Sequence, residues 1–304
     1  MLSSYVGRFA PSPTGPLHFG SLLAAVASFL QARNNQGKWL VRIEDLDPPR
    51  EIKGSATGIL KQLEQHGLIW DDSVVYQSNH IDQYHDVLQS LRNQNLVYNC
   101  TCTRQRVSAL NGIYDGHCNQ KSLSLIDASS RFSINRGMQA IDHNSDELAF
   151  TDSIMGKFHQ SLTKDVGDFI VLRRDGLVSY QLAVVIDDYH QGITDVVRGF
   201  DLLDSTPRQI LLQKCLDYQT PNYAHIPLAI NSQGQKLSKQ HFAKALTAGN
   251  ESAQLWLALK WLKQNPPLAL QQAPINEILS WATAHWMLTN IPKQKTGISA
   301  PQNL

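Results

Sequence analysis

The residues best suited to chemistry lie in a Pro/Gly-rich loop that carries His18 and Gly20 to the start of a predicted helix. A helix N-terminus presents unpaired N–H groups and the positive end of the helix dipole, and both favour a phosphate. His18 could hydrogen-bond to that phosphate, and Gly20 would let a nucleotide approach the backbone. Lys239 ends the sequence Lys-Leu-Ser-Lys at 236–239 and could neutralise negative charge that develops on the phosphate. Taken alone, His18 would be an ordinary loop histidine in solvent, but the lysines downstream favour a phosphate site.

Two charged residues are predicted to face the same crevice as this loop. Arg8 follows a short hydrophobic segment, and Glu44 follows the β-rich run at 39–43. The ends of neighbouring parallel strands meet at one edge of a sheet, where ligands bind. The alternative to a binding role is a structural salt bridge between Arg8 or Arg42 and Glu44 or Asp45.

Three cysteines form a second candidate site. The thiolates of Cys100, Cys102 and Cys118 are plausible ligands of one zinc ion. Four-coordination needs another donor, which Tyr114 or His117 could supply, and spacing alone favours His117 because imidazole is the commoner ligand. The alternative is a set of thiols without a metal. If zinc binds, we expect it to be structural and to hold together the segment around it.

The rest of the chain alternates between predicted helices and strands. The predicted helices lie at 22–30, 55–66, 80–94 and 206–216, and the predicted strands at 39–43, 193–197 and 225–230. Polar residues dominate from 121 to 167, as in an insertion of short strands and loops, and the chain after 239 is helical and rich in tryptophan. This pattern predicts an open parallel α/β sheet that carries an inserted module.

The composition is that of an ordinary globular protein. A length of 304 residues, 42% hydrophobic and 17% charged, suffices for about two domains. The net charge of +1 gives no general attraction to nucleic acid, so an RNA contact would need a local basic surface. The apolar run at 22–30 is far below the ~20 residues that span a bilayer, and the N-terminus lacks a signal-peptide pattern. With four cysteines, we expect a cytoplasmic protein with reduced thiols and no membrane contact.

Several motifs resemble those of class I aminoacyl-tRNA synthetases. Pro-Leu-His-Phe-Gly at 16–20 is similar to the first signature of that class, and Lys-Leu-Ser-Lys at 236–239 is similar to the second. The stretches at 8–15, 42–45 and 204–209 resemble the glutamyl group in particular. The resemblance covers most of the chain. It implies an α/β fold with a Rossmann-like parallel sheet, an inserted zinc-bearing module and a small C-terminal helical region.

The resemblance also implies roles for the matched residues. The implied catalytic residues are His18 and Lys239. The implied ATP-binding residues are His18, Gly20, Ser21, Lys236, Leu237, Ser238 and Lys239, with Mg²⁺ accompanying ATP. The implied glutamate-binding residues are Arg8, Phe9, Ala10, Pro11, Ser12, Glu44, Tyr180 and Arg198. The implied ligands of one structural zinc are Cys100, Cys102, Tyr114 and Cys118, because the family pattern places tyrosine at position 114.

Glutamate carries two carboxylates and an ammonium, and the candidate residues match these groups. A fork-shaped guanidinium is the natural partner of a carboxylate, which favours Arg8 and Arg198 with the hydroxyl of Tyr180 beside them. The resemblance suggests Glu44 for the ammonium. Ser21 stands where many class I enzymes have a second histidine, so it is a weaker candidate than His18.

The chain ends about 65 residues after Lys239, which leaves no room for the helical anticodon-binding domain of a glutamyl-tRNA synthetase. We therefore expect a split catalytic domain at 1–78 and 168–240, an inserted acceptor-type, zinc-binding module at 79–167, and a C-terminal helical stem-contact-like region at 241–304.

A truncated relative of this kind implies a particular activity. It would activate glutamate with ATP without needing tRNA, and would then transfer the glutamate to queuosine in the anticodon loop of tRNA(Asp), acting as a monomer. Two alternatives remain. One is a minimal glutamyl-tRNA synthetase that charges a tRNA 3′ end, and the other is a non-catalytic protein that binds glutamate or tRNA as a sensor.

Overall fold

A computed structural model describes residues 5–142, 145–231, 237 and 245–299. The helices are α1 (Phe19–Asn34), α2 (Ser55–Gln65), α3 (Ile81–Asn93), α4 (Arg104–Ser108), α5 (Ile134–Ala140), α6 (Tyr180–His190), α7 (Thr206–Cys215), α8 (Glu251–Trp261) and α9 (Ile275–His285). The strands are β1 (Val6–Phe9), β2 (Lys38–Ile43), β3 (Val75–Tyr76), β4 (Val97–Cys100), β5 (Ser129–Phe132), β6 (Glu147–Asp152), β7 (Gly156–Ser161), β8 (Phe169–Leu172), β9 (Asp195–Gly199), β10 (Asn222–Ile226), β11 (Leu228–Ile230) and β12 (Thr296–Ser299).

The main sheet has seven strands in the order β3-β2-β1-β9-β10-β6-β7. All neighbouring pairs are parallel except β6 with β7, which form an antiparallel hairpin at one edge. The carboxyl ends of β1, β2, β9 and β10 therefore meet at one edge of the sheet. The predicted parallel α/β sheet is confirmed.

Both faces of this sheet are covered, as the burial along β2 shows. Trp39, Val41 and Ile43 belong to a hydrophobic cluster with α1, α8 and α9, whereas Leu40 belongs to a second cluster with α3, α6 and α7. Side chains of successive strand residues point to opposite faces, so burial on both sides requires helices on both sides. The C-terminal helices are fixed to α1 by a hydrogen bond from Trp286 Nε1 to Gln31 Oε1 at 2.7 Å.

The predicted strand at 225–230 is divided in the structure. β10 ends at Ile226 and stays in the main sheet, while β11 begins at Leu228 and pairs with β12 in a separate two-stranded sheet. Pro227 lies between them and has no N–H to continue a sheet ladder. The prediction of one continuous strand was therefore wrong.

β4 and β5, in the segment predicted as an insertion, form a three-stranded antiparallel sheet with β8, which lies just beyond the predicted end of that segment at 167. β6 and β7 also lie in that segment, but they extend the edge of the main sheet beside β10. The proposed domain boundaries remain a prediction. Among the described residues, no helix combines the length and the apolar character needed to cross a bilayer.

Candidate active site

The loop between β1 and α1 is held in place by backbone hydrogen bonds to α2 and to the chain after β2. Gly15 N–H donates to Ser55 Oγ at 2.8 Å, and Leu17 N–H donates to Gln62 Oε1 at 2.8 Å. Pro11 O accepts from Glu44 N–H at 3.0 Å. These bonds fix the direction in which the loop delivers His18 to the start of α1.

His18 is the N-cap of α1, and it shares a capping box with Ser21. Its Nδ1 accepts from Ser21 N–H at 3.2 Å, and Ser21 Oγ accepts from His18 N–H at 2.8 Å. One of the helix N–H groups expected for a phosphate is therefore occupied by the histidine ring. A Cβ on Gly20 would lie 3.1 Å from His18 Cε1, so glycine at this position leaves room for the ring. Ser21 thus has a structural role as a cap.

Leu237 of the second motif lies beside this loop. Leu237 N–H donates to Ala229 O at 2.8 Å, and Leu237 O would lie 3.7 Å from a Cβ on Gly20. Beyond the motif, Ala245 forms a β-bridge with His18. Leu237 of the second motif is therefore a neighbour of the first motif in the fold. Lys236, Ser238 and Lys239, which the sequence predicts as ATP-binding or catalytic, lie outside the described residues.

Arg8 belongs to a buried network of ion pairs. Its Nε and Nη2 donate to the two carboxylate oxygens of Asp188 at 3.1 and 3.3 Å. Arg42 is fully buried beside it and donates from Nη2 to Asp188 Oδ1 at 2.8 Å and to Glu44 Oε1 at 3.4 Å. Burial favours the neutral acid, but Arg8 and Arg42 hold the pKa of Asp188 below its usual range.

Glu44 and Asp187 complete this network. Burial raises the pKa of Glu44 to about 7, although Arg42 and Arg8 favour its ionised form. Burial also raises the pKa of Asp187, which accepts hydrogen bonds from Gln77 Nε2 at 2.7 Å and from the Tyr84 hydroxyl at 2.8 Å. The anticipated Arg42–Glu44 salt bridge is present, but the partner of Arg8 is Asp188. Asp45 instead accepts from the backbone and the hydroxyl of Ser78.

Arg198 lies on β9 and is held by neutral groups. Its Nε donates to His225 Nε2 at 3.0 Å, and its Nη2 donates to Thr206 Oγ1 at 2.9 Å and to Gln209 Oε1 at 2.8 Å. Its Nη1 faces the hydroxyl of Tyr180 at 3.4 Å. In the described part of the chain, no carboxylate forms an ion pair with Arg198.

The other predicted glutamate-binding residues lie at the same edge of the sheet. Tyr180 begins α6, and its hydroxyl is close enough to Arg198, Glu44 and Arg8 for their charges to influence its pKa, which burial raises. Phe9 packs its side chain into the core beside Trp39. After Phe9, the residues Ala10 and Pro11 are partly exposed and Ser12 is exposed. The structure therefore brings Arg8, Glu44, Tyr180 and Arg198 together, with the stretch from 10 to 12 leading away toward His18.

The three cysteines form one cluster, and Tyr114 completes it. The sulfurs of Cys100, Cys102 and Cys118 all lie within 4.8 Å of one another. The Tyr114 hydroxyl is 3.2 Å from Cys100 Sγ and 3.3 Å from Cys102 Sγ, and it accepts from Cys118 N–H at 3.1 Å. His117 is directed elsewhere, with its Nε2 at 2.6 Å from Lys121 Nζ. Geometry thus favours Tyr114 over His117 as the fourth donor.

The surroundings of the cluster act on its ligand groups in opposite directions. Burial opposes ionisation of Cys100, but hydrogen bonding with Tyr114 and Arg131 lowers the pKa of its thiol to about 7, whereas burial raises the pKa of Cys102 and of Tyr114. The Arg131 guanidinium lies 3.9 Å from the centre of the Tyr114 ring. A set of three sulfurs and one phenol oxygen, held close together in a buried position, fits a tetrahedral zinc site.

A groove of about 790 Å³ lies next to the cysteine cluster and is lined by several arginines. Its basic residues are Arg104, Arg131, Arg173 and Arg174. Two of them are partly neutralised, since Arg173 pairs with Asp175 at 2.6 Å and Arg174 lies 3.7 Å from Asp127. Arg131 is buried, so Arg104 and the partly neutralised Arg173 and Arg174 form the basic surface of the groove.

Several residues of the site were not identified from the sequence. The most important are Asp152, Asp187, Asp188, Thr206, Gln209 and His225. Asp187 and Asp188 follow directly on the apolar run at 182–186 in a helix. Two adjacent acids on such a helix were a usable signal, because buried acids need partners. For His225 the only signal was its position in a buried strand.

The fold and the site define the catalytic domain of a class I tRNA synthetase, and the model of that family (E and Q) matches residues 5–255. The chain is 50% identical to the glutamyl-Q tRNA(Asp) synthetase of Pectobacterium atrosepticum over 95% of its own length and 87% of the relative's. It is 48% identical to that of Pseudomonas aeruginosa over 97% and 98%. The chain belongs to the family of glutamyl-Q tRNA(Asp) synthetases.

The fold is also similar to that of solved synthetases. A glutamate tRNA ligase from Elizabethkingia meningosepticum, crystallised with its amino acid, superposes with a TM-score of 0.77 at 24% identity. That match covers 96% of this chain and 66% of the ligase. The glutamate-tRNA synthetase of Elizabethkingia anophelis gives a TM-score of 0.78 over 98% of this chain. These matches establish the shared fold.

Proposed function

We propose that this protein activates L-glutamate with ATP, without needing tRNA, and then transfers the glutamate to queuosine in the anticodon loop of tRNA(Asp). The observation that carries this proposal is the identity of about half of all positions, over nearly the whole chain, to proteins named glutamyl-Q tRNA(Asp) synthetase. The protein is thus an ATP-dependent ligase. A tRNA substrate and free cysteines fit a protein of the cytoplasm, and we propose that it acts there as a monomer.

In the first step, an oxygen of the glutamate α-carboxylate attacks the α-phosphorus of ATP, and the bond to pyrophosphate breaks. The reaction needs positioning and charge stabilisation rather than a covalent enzyme intermediate. We assign the side-chain carboxylate of glutamate to Arg198, because its guanidinium is fixed by neutral groups and keeps its full charge. Arg8 and Glu44 face the α-carboxylate and the ammonium, with Tyr180 beside them.

The nucleotide lies across the start of α1 in this proposal. His18 contacts its phosphates, Gly20 allows close approach of the adenosine, and Leu237 contributes backbone from the adjoining segment. Lys239 neutralises the charge that builds up on the phosphates, with Mg²⁺ bound to ATP. Lys236 and Ser238 belong to the same motif.

The cysteine cluster holds one structural zinc ion through Cys100, Cys102, Tyr114 and Cys118. When bound, the metal ties together the segment before α4 and the segment before β5, and it supplies no chemistry to the reaction.

The arginine-lined groove beside the zinc site would receive RNA phosphates, which interact with arginine irrespective of sequence. Chelation should therefore weaken transfer to tRNA more than glutamate activation.

The test is transfer of labelled glutamate, with ATP and Mg²⁺, to purified tRNA(Asp) with and without queuosine and to tRNA(Glu). Each tRNA is also offered with its terminal adenosine removed. Label only on queuosine-containing tRNA(Asp), trimmed or intact, is the expected result. Label on intact tRNA(Glu) alone would instead identify a minimal glutamyl-tRNA synthetase. If the protein shows neither transfer of glutamate nor glutamate-dependent exchange of pyrophosphate into ATP, the remaining interpretation is a non-catalytic sensor.

A further inference from the structure

We propose that Asp152 and His225 form a relay that positions Arg198 for the side-chain carboxylate of glutamate. This inference rests on the proposed function, because it takes glutamate as the substrate. It adds Asp152 and His225 to the residues of the proposed glutamate site. Neither residue touches the substrate, and both act through Arg198.

The sheet places the relay residues side by side. His225 on β10 is paired in register with Arg198 on β9. Two residues earlier on β10, Tyr223 is paired in register with Asp152 at the end of β6. The side chains of His225 and Asp152 are fully buried. The three residues thus form a line across three neighbouring strands, with only Arg198 next to the proposed substrate.

The hydrogen bonds require one tautomer of His225. Arginine has donors only, so His225 Nε2 must accept from Arg198 Nε across their 3.0 Å separation. The ring proton therefore lies on Nδ1, which donates to Asp152 Oδ2 at 2.6 Å. Burial lowers the pKa of His225 to about 4, in agreement with a neutral ring.

Asp152 is itself anchored by the backbone. Its Oδ1 accepts from the N–H groups of Ile154 at 2.9 Å, Met155 at 2.8 Å and His225 at 3.2 Å. The carboxylate cannot rotate without losing these bonds. It therefore fixes both the orientation and the tautomer of the histidine ring.

The relay determines which edge of the Arg198 guanidinium is left for a ligand. Its Nε is held by His225, and its Nη2 is held by Thr206 and Gln209. Nη1 is left as the edge for a ligand, with only the 3.4 Å contact to Tyr180 in the described part of the chain. The relay fixes the guanidinium without placing an acid against it. Asp152 thus contributes rigidity, while the neutral ring keeps the positive charge of Arg198 available to the substrate.

Two substitutions of His225 separate the two hydrogen bonds. His225→Gln can place its amide oxygen near the position of Nε2 and keep an acceptor for Arg198. His225→Asn can place its amide nitrogen near Nδ1, which keeps the bond to Asp152 but removes the acceptor. The assay is glutamate-dependent exchange of pyrophosphate into ATP, with KM for glutamate, KM for ATP and kcat measured separately. Thermal unfolding of both variants accompanies it.

We expect His225→Asn to raise KM for glutamate about 30-fold and His225→Gln to raise it less than 5-fold, with KM for ATP unchanged in both. Asp152→Asn should raise KM for glutamate in the wild-type background, because it disturbs the tautomer. It should add little in the His225→Gln background, where the relay is already broken. Non-additivity in KM for glutamate, without a matching change in KM for ATP, is not expected of two residues that merely support the fold.

Three results would overturn the relay. They are equal KM values for glutamate in the two His225 variants, parallel rises in the KM values for glutamate and ATP, and full additivity with Asp152→Asn. Failure of the proposed function is distinguishable from these results, since the wild-type protein would then show no glutamate-dependent exchange.

Discussion

Arg8 and Arg198 are both buried at the carboxyl ends of neighbouring strands. Arg8 has acidic partners, whereas the described partners of Arg198 are neutral. Arg8 shares Asp188 with Arg42 in a network of five charged side chains that also includes Asp187 and Glu44. Arg198 is surrounded by a histidine, a threonine, a glutamine and a tyrosine, and its guanidinium lies 5.1 Å from the ring centre of Tyr223.

This difference separates a charge that the protein already balances from a charge that has no counter-ion among the described residues. Burying a guanidinium costs free energy that an ion pair partly offsets. Arg8 receives that offset from the protein itself. Among the described residues, Arg198 has only neutral hydrogen-bond partners, so in the proposed site a substrate carboxylate provides the missing counter-charge. In the proposed site, the first region therefore stabilises the fold and holds Arg8 and Glu44 in place, and the second keeps a charge for the side-chain carboxylate of glutamate.

The first prediction concerns the charged network and has the largest expected effect. Asp188→Asn leaves Arg8 and much of the charge of Arg42 without a partner in a buried position. We expect the free energy of unfolding to fall by about 3–5 kcal/mol, measured by urea denaturation. Asp72→Asn is the matched control, because it breaks an exposed pair with Lys38 and should cost about 0–1 kcal/mol. Equal losses in the two variants would show that the network does not stabilise the fold.

The second prediction concerns the neutral surroundings of Arg198. Arg198→Ala should reduce kcat/KM for glutamate by about 100- to 1,000-fold, because it removes the counter-charge of the substrate carboxylate. The measurement is glutamate-dependent pyrophosphate exchange, with ATP affinity determined separately as the control. Arg198→Lys should recover only part of the loss, since lysine lacks the planar fork. Unchanged exchange kinetics in Arg198→Ala would remove this residue from the site.

The sequence predicted the parallel character of the sheet and the charged residues at its edge, but not the β6–β7 hairpin or the end of β10 at Ile226. The β-rich run at 39–43 and the strand before Arg198 place Arg8, Glu44 and Arg198 at a shared edge once the sheet is taken as parallel. The pairing of Arg8 with Asp188 could not be predicted, because these residues are 180 positions apart and no local spacing connects them.

Local patterns were also misleading at two points. Pro227 lies inside the run predicted as one strand, and its missing N–H was a signal that the strand ends there. Spacing favoured His117 as a metal ligand, whereas the chain after Tyr114 turns the His117 ring toward Lys121. In both cases the outcome depends on backbone direction, which residue types alone do not define.

The third prediction concerns a substitution that gives Arg198 an acidic partner, as Arg8 already has. Gln209→Glu places a carboxylate where Gln209 Oε1 now accepts from Arg198 at 2.8 Å. The new ion pair should raise KM for glutamate about 30- to 100-fold while costing little stability, because both charges are paired. The readout combines exchange kinetics with urea denaturation.

Gln213→Glu is the control for that substitution. Gln213 is equally buried on α7, but it donates to the Tyr223 hydroxyl and does not contact Arg198. Its new carboxylate would be buried without a cation, so we expect lower stability with an unchanged KM for glutamate. An unchanged KM in Gln209→Glu would mean that the charge of Arg198 is not used by the substrate.

The last prediction uses pH, and its effect is the smallest. Burial raises the pKa of Glu44 to about 7. The negative charges of Asp187 and Asp188 also raise this pKa, whereas the positive charges of Arg42 and Arg8 lower it. If ionised Glu44 holds the substrate ammonium, KM for glutamate should fall about 10-fold as pH rises from 6 to 8. His225 contributes nothing in this range, because its pKa is lowered to about 4. Glu44→Gln should raise KM for glutamate and make it independent of pH, while KM for ATP reports any titration of the nucleotide. A slope that persists in Glu44→Gln would assign the titration to another group and leave the charged network with a structural role alone.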